Sequence, residues 1–274
     1  MRKLKELTKE EEQEIVLKRQ NGIKRKDIIK EYGISDRHYQ KVIVENGGDI
    51  RQRVKKYNLN EDYFENIDTE DKAYFLGFII ADGNINSKKP QVSIIQKETE
   101  ILYKFKECIE FEGNIFTKND GSNCSILTIT SKKMKDDLFN LGIYPAKTMI
   151  VEYPNIKKEL EHHFMRGVFD GDGCISFHKP GKRDKYGRGQ VNICSGSRNF
   201  IEEYVNRLEY YGITRNKIRC PRNTYSVIDW GSFSDVEKFY ELFYKDATIF
   251  LERKKSKFED VVNLSKSIIS YRKK

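Results

Sequence analysis

The sequence predicts an α+β chain whose larger part is a duplicated unit, with a small all-helical module in front of it. Three observations carry this expectation. Two ten-residue apolar segments lie ninety residues apart, and each ends in an acid followed by glycine. The elements after each segment recur in one order and at similar spacing, the mark of a duplicated half-domain rather than of a many-copy array. Residues 1–47 lie outside the repeat and read as short capped helices.

In that first stretch, Thr8 can cap a helix running to about Gln20, with Glu10, Glu11 and Glu12 in the first turn, where the helix dipole favours negative charge. Arg25 to Val42 then resembles a helix-turn-helix. Gly33 takes the tight turn, Ser35 caps the second helix, and Ile29, Tyr32, Ile34, Tyr39 and Val42 fall at the buried positions. Arg37, His38, Gln40 and Lys41 are then available to a DNA groove, and Arg37, Gln40 and Lys41 are the candidate DNA contacts. A plain three-helix packing unit satisfies the same pattern. Residues 48–71, entered through Gly47-Gly48-Asp49, are polar and are expected to be a linker whose Tyr63, Phe64 and Ile67 dock on the repeat.

The two segments are Tyr74-Phe75-Leu76-Gly77-Phe78-Ile79-Ile80-Ala81-Asp82-Gly83 and Phe164-Met165-Arg166-Gly167-Val168-Phe169-Asp170-Gly171-Asp172-Gly173. Each reads as an apolar helix with small residues four apart, Gly77 and Ala81 in one, Gly167 and Gly171 in the other. Such residues leave a flat stripe where a second backbone can come close. Each stops at a glycine, the residue that tolerates a left-handed turn beyond a helix C-terminus. Packing the stripes together carries Asp82 and Asp172 to one end of the pair, already electronegative from unpaired carbonyls. Two carboxylates there are badly placed unless hard cations such as Mg²⁺ join them.

After the first segment come a strand at Gln91-Val92-Ser93-Ile94, a helix over 98–112, a strand over 125–131 and a helix over 132–141. After the second come a strand at Gln190-Val191-Asn192-Ile193, a helix over 198–211, a strand over 225–230 and a helix over 235–244. Both halves read helix, hairpin, helix, hairpin, helix.

At these residues the chain resembles the single-chain, two-motif LAGLIDADG homing endonucleases. Phe75 to Gly83 and Met165 to Gly173 fill the nine motif positions without gaps, with the catalytic acid of the eighth position at Asp82 and Asp172. Ile80 replaces the acid usual at the sixth position, which Asp170 keeps, and Arg166 replaces the usual small residue at the second. The resemblance covers roughly residues 62–264. It implies a pseudo-twofold fold of two αββαββα halves, here 72–158 and 159–264, followed by a basic tail at 265–274. It also implies a site-specific, metal-dependent endonuclease that cuts both strands of a long asymmetric double-stranded DNA target as a monomer. Two or more Mg²⁺ ions would sit between the halves on Asp82 and Asp172, with the carbonyls of Ala81 and Gly171 as lesser ligands. They would activate water for in-line displacement, since no motif side chain is an evident general base. A lysine near the end of each half reaches the cleavage centre in this family, and the matching positions are Lys147 and Lys254. Arg253, Lys255 and Lys257 crowd the second, and a surface lysine on a basic helix fits that position as well. Relatives that keep the scaffold without the chemistry act as DNA-binding regulators, and others act as maturases on intron RNA; both readings stay open.

The strands suggest how DNA is read. Alternation points Val92, Ile94, Val191 and Ile193 to the core and leaves Gln91, Ser93 and Ile95, and Gln190, Asn192 and Cys194, on the other face. Gln91, Ser93, Gln190 and Asn192 suit base edges in the major groove, although a polar outward face is also what water demands. The stretch from His178 to Gly189 is a glycine-rich basic hairpin tip. Its Lys182, Arg183, Lys185 and Arg188 are expected to hold phosphates. It is longer than Ser87-Lys88-Lys89-Pro90 in the first half, so the halves should read different half-sites.

Composition agrees with a polyanionic partner. Lys plus Arg number 51 against 42 acids, a formal charge of +9. With 38% hydrophobic and 12% aromatic residues the chain can build a core. Five cysteines, none in a Cys-x-x-Cys pair, suggest neither zinc nor a disulfide framework. His162 and His163 point about 100° apart on a helix and read as structural. Met1-Arg2-Lys3-Leu4 opens no apolar signal segment and no stretch reaches membrane-spanning length, so a soluble, cytoplasmic protein with no membrane partner is expected. No protein-splicing junction residues frame the chain, and a free-standing protein is expected over an intein.

Overall fold

The computed structural model describes residues 7–48, 50, 57–118, 120–179, 187–221 and 224–272. They form two compact units: the described residues up to Leu59 with Phe111–Gly113, and the rest.

The first unit holds helices α1 (Lys9–Gln20), α2 (Arg25–Tyr32) and α3 (Asp36–Glu45). Thr8 and Glu11 close a capping box at the start of α1. Gly33 adopts φ +62° at the end of α2, a left-handed conformation in which a Cβ would be strained. Ser35 then caps α3 by accepting the His38 N–H at 3.1 Å. The core is Ile15, Ile28, Tyr32, Ile34, Tyr39, Val42 and Ile43. Ile28, rather than the neighbouring Ile29, takes the fully buried position on α2, because it lies one turn before Tyr32 on the same face; Ile29 packs at the margin.

The second unit begins at Asn60; near its start Tyr63 and Phe64 are buried with edge and tilted contacts to Phe105 at 6.0 and 6.2 Å, while Ile67 is half-buried. Helix α4 (Glu70–Asp82), capped by Thr69, leads into β1 (Gly83–Ile85), β2 (Gln91–Gln96), α5 (Thr99–Cys108), β3 (Phe116–Thr117), β4 (Ser125–Thr130) and α6 (Lys132–Asn140). A single 3-10 turn at Lys147–Met149 precedes the second half. There, α7 (Lys158–Asp172) is followed by β5 (Gly173–His178), β6 (Arg188–Ser195), α8 (Arg198–Tyr210), β7 (Ser226–Trp230), α9 (Phe233–Phe243) and α10 (Glu252–Arg272).

The first sheet is antiparallel in the order β1-β2-β4-β3, the second in the order β5-β6-β7. The second half carries an isolated antiparallel bridge, Arg219 to Val227, beside β7, where β3 stands beside β4 in the first half. The registers correspond: Gly83 pairs with Ile94 and Gly173 with Ile193, and these isoleucines pair in turn with Leu127 and Ile228. Alternation buries Val92, Ile94, Leu127 and Ile129 on one face of the first sheet and Val191, Ile193, Ile228 and Trp230 on one face of the second.

At the centre α4 packs along α7, and the contact is reciprocal. A Cβ on Gly77 would lie 2.1 Å from the Phe164 carbonyl oxygen, and one on Gly167 would lie 1.9 Å from that of Tyr74. Phe164 and Tyr74 are themselves the matching residues of the two segments, so the contact repeats about a pseudo-twofold axis. Glycine is required here for close approach of backbones, not for turning.

Candidate catalytic centre and nucleic-acid interface

Both central helices end at an Asp-Gly pair. The sequence pointed to left-handed glycines; instead Gly83 (φ −76°, ψ 146°) and Gly173 (φ −85°, ψ 164°) are extended and open β1 and β5 directly. Space is the reason they are glycine. A Cβ on Gly83 would lie 2.6 Å from the Ile79 carbonyl oxygen, and one on Gly173 would lie 2.3 Å from the Phe169 ring.

The two helix ends touch. A Cβ on Gly171 would fall 2.2 Å from the Cβ of Ala81 and 3.2 Å from Asp82 Oδ2. The half-buried Asp82 and Asp172 are therefore neighbours at the same end of the pair. Burial pushes Asp172 up to about 6, and the charge of Asp82 pushes the same way, against Lys254 and Lys147. Burial also raises Asp82, opposed by Lys254, by a hydrogen bond from Gln96 and by Lys147 and Arg253.

Lys147 and Lys254 are the two cations of this centre, in matching places. Each is buried, and each reaches the carbonyl of the glycine that ends a central helix. Lys147 Nζ donates to Gly83 O. Lys254 Nζ donates to Gly173 O and Phe169 O, both at 2.6 Å. Burial lowers both ammonium groups. It takes Lys254 down to about 8 despite Asp170 and Asp82, and it lowers Lys147 despite Asp172 and Asp82. Of the basic cluster at the start of α10, only Lys254 turns inward; Arg253 and Lys257 are exposed. A cavity of about 330 Å³ elsewhere, lined by His162, His163 and Arg166, lies around the other end of α7.

Gln96 and the pair Glu98–Arg253 were not expected from the sequence. Gln96 Nε2 donates to Asp82 Oδ2, and Glu98 accepts from Arg253 Nε at 2.8 Å, joining the first half to the second beside the carboxylates. The signal for Gln96 was its parity. It falls on the same alternation as Val92 and Ile94, so an amide ends the inward face of β2. Ser195 holds that place in β6, so the surroundings of the two aspartates differ.

Arg166, the departure in the second motif, and Asp170, which keeps the usual acid, are both structural. Asp170 is buried and accepts from Tyr74 Oη (2.8 Å), Tyr244 Oη (2.6 Å) and Leu251 N (2.8 Å). Arg166 is buried with Nε on Ile249 O (2.9 Å), Nη1 on Phe243 O (3.3 Å) and Nη2 on Glu70 (2.6 Å). His163 Nδ1 lies 3.0 Å from Arg166 Nη1, and the His162 and His163 ring centroids lie 3.8 Å apart with the planes tilted by 39°.

On the outward faces, Gln91 reaches Thr130 at 3.4 Å, and Ser93 is half-buried between Asn84 and Thr128 in register. Gln190 is held between His178 and Asp229, and Asn192 is half-buried opposite Asp229 and Cys174. Arg188 is exposed opposite His178. Lys182, Arg183 and Lys185 lie outside the described residues. In the first unit, Arg37 and Lys41 are exposed on α3, Lys41 facing Glu45 at 3.6 Å, while the Gln40 amide donates to Asp36 at 3.0 Å. Among the described residues no helix is long and apolar enough to cross a membrane.

No protein-family model matches the sequence, and no curated protein matches it. Solved structures match the fold. The LAGLIDADG meganuclease I-AabMI bound to uncleaved DNA superposes with a TM-score of 0.51 at 16% identity, over 71% of this chain and 91% of that one. The I-LtrWI LAGLIDADG homing endonuclease bound to target DNA gives 0.51 at 13% identity, over 76% and 92%. I-SmaMI bound to uncleaved DNA in the presence of calcium ions gives 0.50 at 17%, over 73% and 92%. This chain has the LAGLIDADG endonuclease fold.

Proposed function

We propose that the protein is a site-specific, metal-dependent endonuclease that cuts both strands of a long asymmetric duplex DNA target as a monomer. One observation carries this reading: Asp82 and Asp172 meet at the electronegative end of the α4–α7 pair, each flanked by a buried lysine. A binding scaffold has no need of two neighbouring half-buried carboxylates whose mutual repulsion costs stability. The DNA complexes of the matched structures support the choice of substrate.

The donor set suits Mg²⁺. Among the described residues no group of three or more His, Cys, Asp or Glu forms a closed cage. Mg²⁺ is ordinarily held by one or two carboxylates and completed by substrate phosphate and water, and Asp82 and Asp172, with the carbonyls of Ala81 and Gly171, supply that kind of open set. Such ions, when bound, supply Lewis-acid polarisation of the phosphodiester and a more acidic water. I-SmaMI is described bound to its uncleaved DNA target in the presence of a divalent cation, calcium.

The chain's own residues do the rest. Gln96 orients the Asp82 carboxylate. Lys147 and Lys254 place positive charge beside it, where charge builds on the phosphate, without having to be drawn from solvent at that moment. The polar residues Gln91, Ser93, Gln190 and Asn192 face base edges, and Arg188 with the basic tip holds the backbone. Helix α3 adds a second DNA contact through Arg37, Gln40 and Lys41.

The test is cleavage of a host-genomic DNA library in Mg²⁺ with all fragment ends sequenced, beside the D82N/D172N double variant. Recurrent staggered ends that vanish in the variant support the endonuclease. Specific DNA capture without such ends indicates a regulator, and retention of intron RNA indicates a maturase. Retained cutting by Asp172→Asn alone would sink the catalytic assignment.

A further inference from the structure

The outward face of the first sheet is not uniformly polar. Ile95 on β2 lies opposite Ile126 on β4, and Ile126 lies opposite Phe116 on β3, so three apolar side chains form one cross-strand row. Their neighbours in sequence, Ile94 and Leu127, are buried on the other face, so the row points outward. Phe116 is 60% exposed, on a two-residue edge strand of the kind ordinarily protected by charge. The adjoining row is polar: Asn84, Ser93 and Thr128. Lys97 and Lys118 flank the apolar row at the ends of β2 and β3. In the second half the matching row is Cys194, Val227 and Arg219, without an aromatic.

We infer that Ile95, Ile126 and Phe116 form a thymine-methyl reader, contacting the 5-methyl groups of the innermost bases that the first sheet covers. The inference deepens the endonuclease proposal and rests on its assignment of the outward face to DNA. Several things on this face select that occupant. The flanking lysines suit a polyanion rather than an apolar protein partner. The row is continuous with amide and hydroxyl side chains of the kind that read base edges. In the major groove the thymine methyl is the apolar feature that distinguishes A·T from the other pairs, and aromatic or aliphatic side chains are its usual contacts. Gln96, the next residue after Ile95, bonds Asp82, so the row lies at the end of the sheet nearest the cleavage centre. The specificity is one-sided: the half-site under the first sheet requires thymine at its inner positions, and the half-site under the second does not.

The experiment selects a binding site for the full-length protein from a duplex library with a randomised core, without divalent metal. Each thymine of the recovered site is then replaced by uracil, which removes only the methyl. The expected result is about fourfold weaker binding for each methyl that the row touches, as burial of one methyl group implies, at inner positions of one half-site only. Phe116→Ser and, separately, Ile95→Thr should bind the thymine site more weakly and be indifferent to uracil there. Uracil without effect at every inner position overturns the inference while leaving the DNA-reading proposal standing, as does equal uracil sensitivity in wild type and both variants. Recovery of no sequence at all overturns both.

Discussion

The phenol of Tyr74, from the first half, donates to the carboxylate of Asp170, from the second, at 2.8 Å in the buried centre of the molecule. Asp170 also ties down Tyr244 and the backbone at Leu251, just before the helix that carries Lys254. The matching residue of the first motif is Ile80, which needs no partner. Asp170→Ile should therefore cost about 3–5 kcal/mol, because it strands two hydroxyls and an amide. Asp170→Asn, which keeps the shape, should cost about 1–3 kcal/mol. Urea unfolding monitored by circular dichroism measures both; equal stability of wild type and Asp170→Ile would remove the structural role.

A methyl group at Gly77 or Gly167 has nowhere to go, since a backbone carbonyl occupies its place. Gly77→Ala and Gly167→Ala are each expected to destabilise by about 3 kcal/mol or more, at the upper end of overpacking effects. Ala81→Gly, which only removes a methyl from the same interface, should cost about 1 kcal/mol. Thermal melting of the three variants side by side gives the comparison.

Lys147 and Lys254 stand beside the two aspartates. Lys147→Met and Lys254→Met should each slow DNA cleavage by about a hundredfold or more. The loss should fall on the single-turnover cleavage rate rather than on DNA affinity. Lys147→Met loses one hydrogen bond, to the Gly83 carbonyl, and should lower the melting temperature only slightly. Lys254 also satisfies two carbonyls, so its variant should melt earlier as well, and cleavage below that melting point separates the two effects.

Burial, aided by the charges of His162 and Arg166 and opposed by Glu70, lowers His163 to about 4, against about 6.5 in an unfolded chain. Between those two values the unfolded chain binds a proton that the folded protein refuses. The stability is therefore fully present above about pH 6.5 and is lost as pH falls towards 4. Its size should be on the order of 1 kcal/mol, because the ring is only partly shielded from water. His163→Gln should flatten the fall in melting temperature between pH 6.5 and 4.5 while leaving pH 8 little changed.

If α3 enters a groove, Arg37→Ala and Lys41→Ala should each weaken DNA binding about equally across sequences. For every phosphate that a variant leaves unneutralised, the slope of log affinity against log salt should fall by about 1. Filter binding at several salt concentrations reads this directly. An unchanged slope in both variants would leave the N-terminal helices as a packing unit.

By itself the sequence determined the duplication, the order of helices and strands in each half, and the stripe of small residues that lets α4 and α7 meet. These follow from local rules: period, parity and the absence of side-chain volume at Gly77 and Gly167 are written in neighbouring residues. Asp82 and Asp172 could be placed at one end of the pair for the same reason. Tertiary structure alone decided which residues surround them. Gln96, Glu98 and Arg253 reach the centre from separate elements, and the choice of Lys254 over Arg253 and Lys257 depends on which side of α10 faces the end of α7. The roles of Asp170 and Arg166 were decided there too: their partners are the phenols of Tyr74 and Tyr244, the Leu251 N–H, the carbonyls of Phe243 and Ile249, and the Glu70 carboxylate. Partners so distant along the chain leave no periodic trace, because burial in the assembled core, not local conformation, is what makes an unpaired polar group costly.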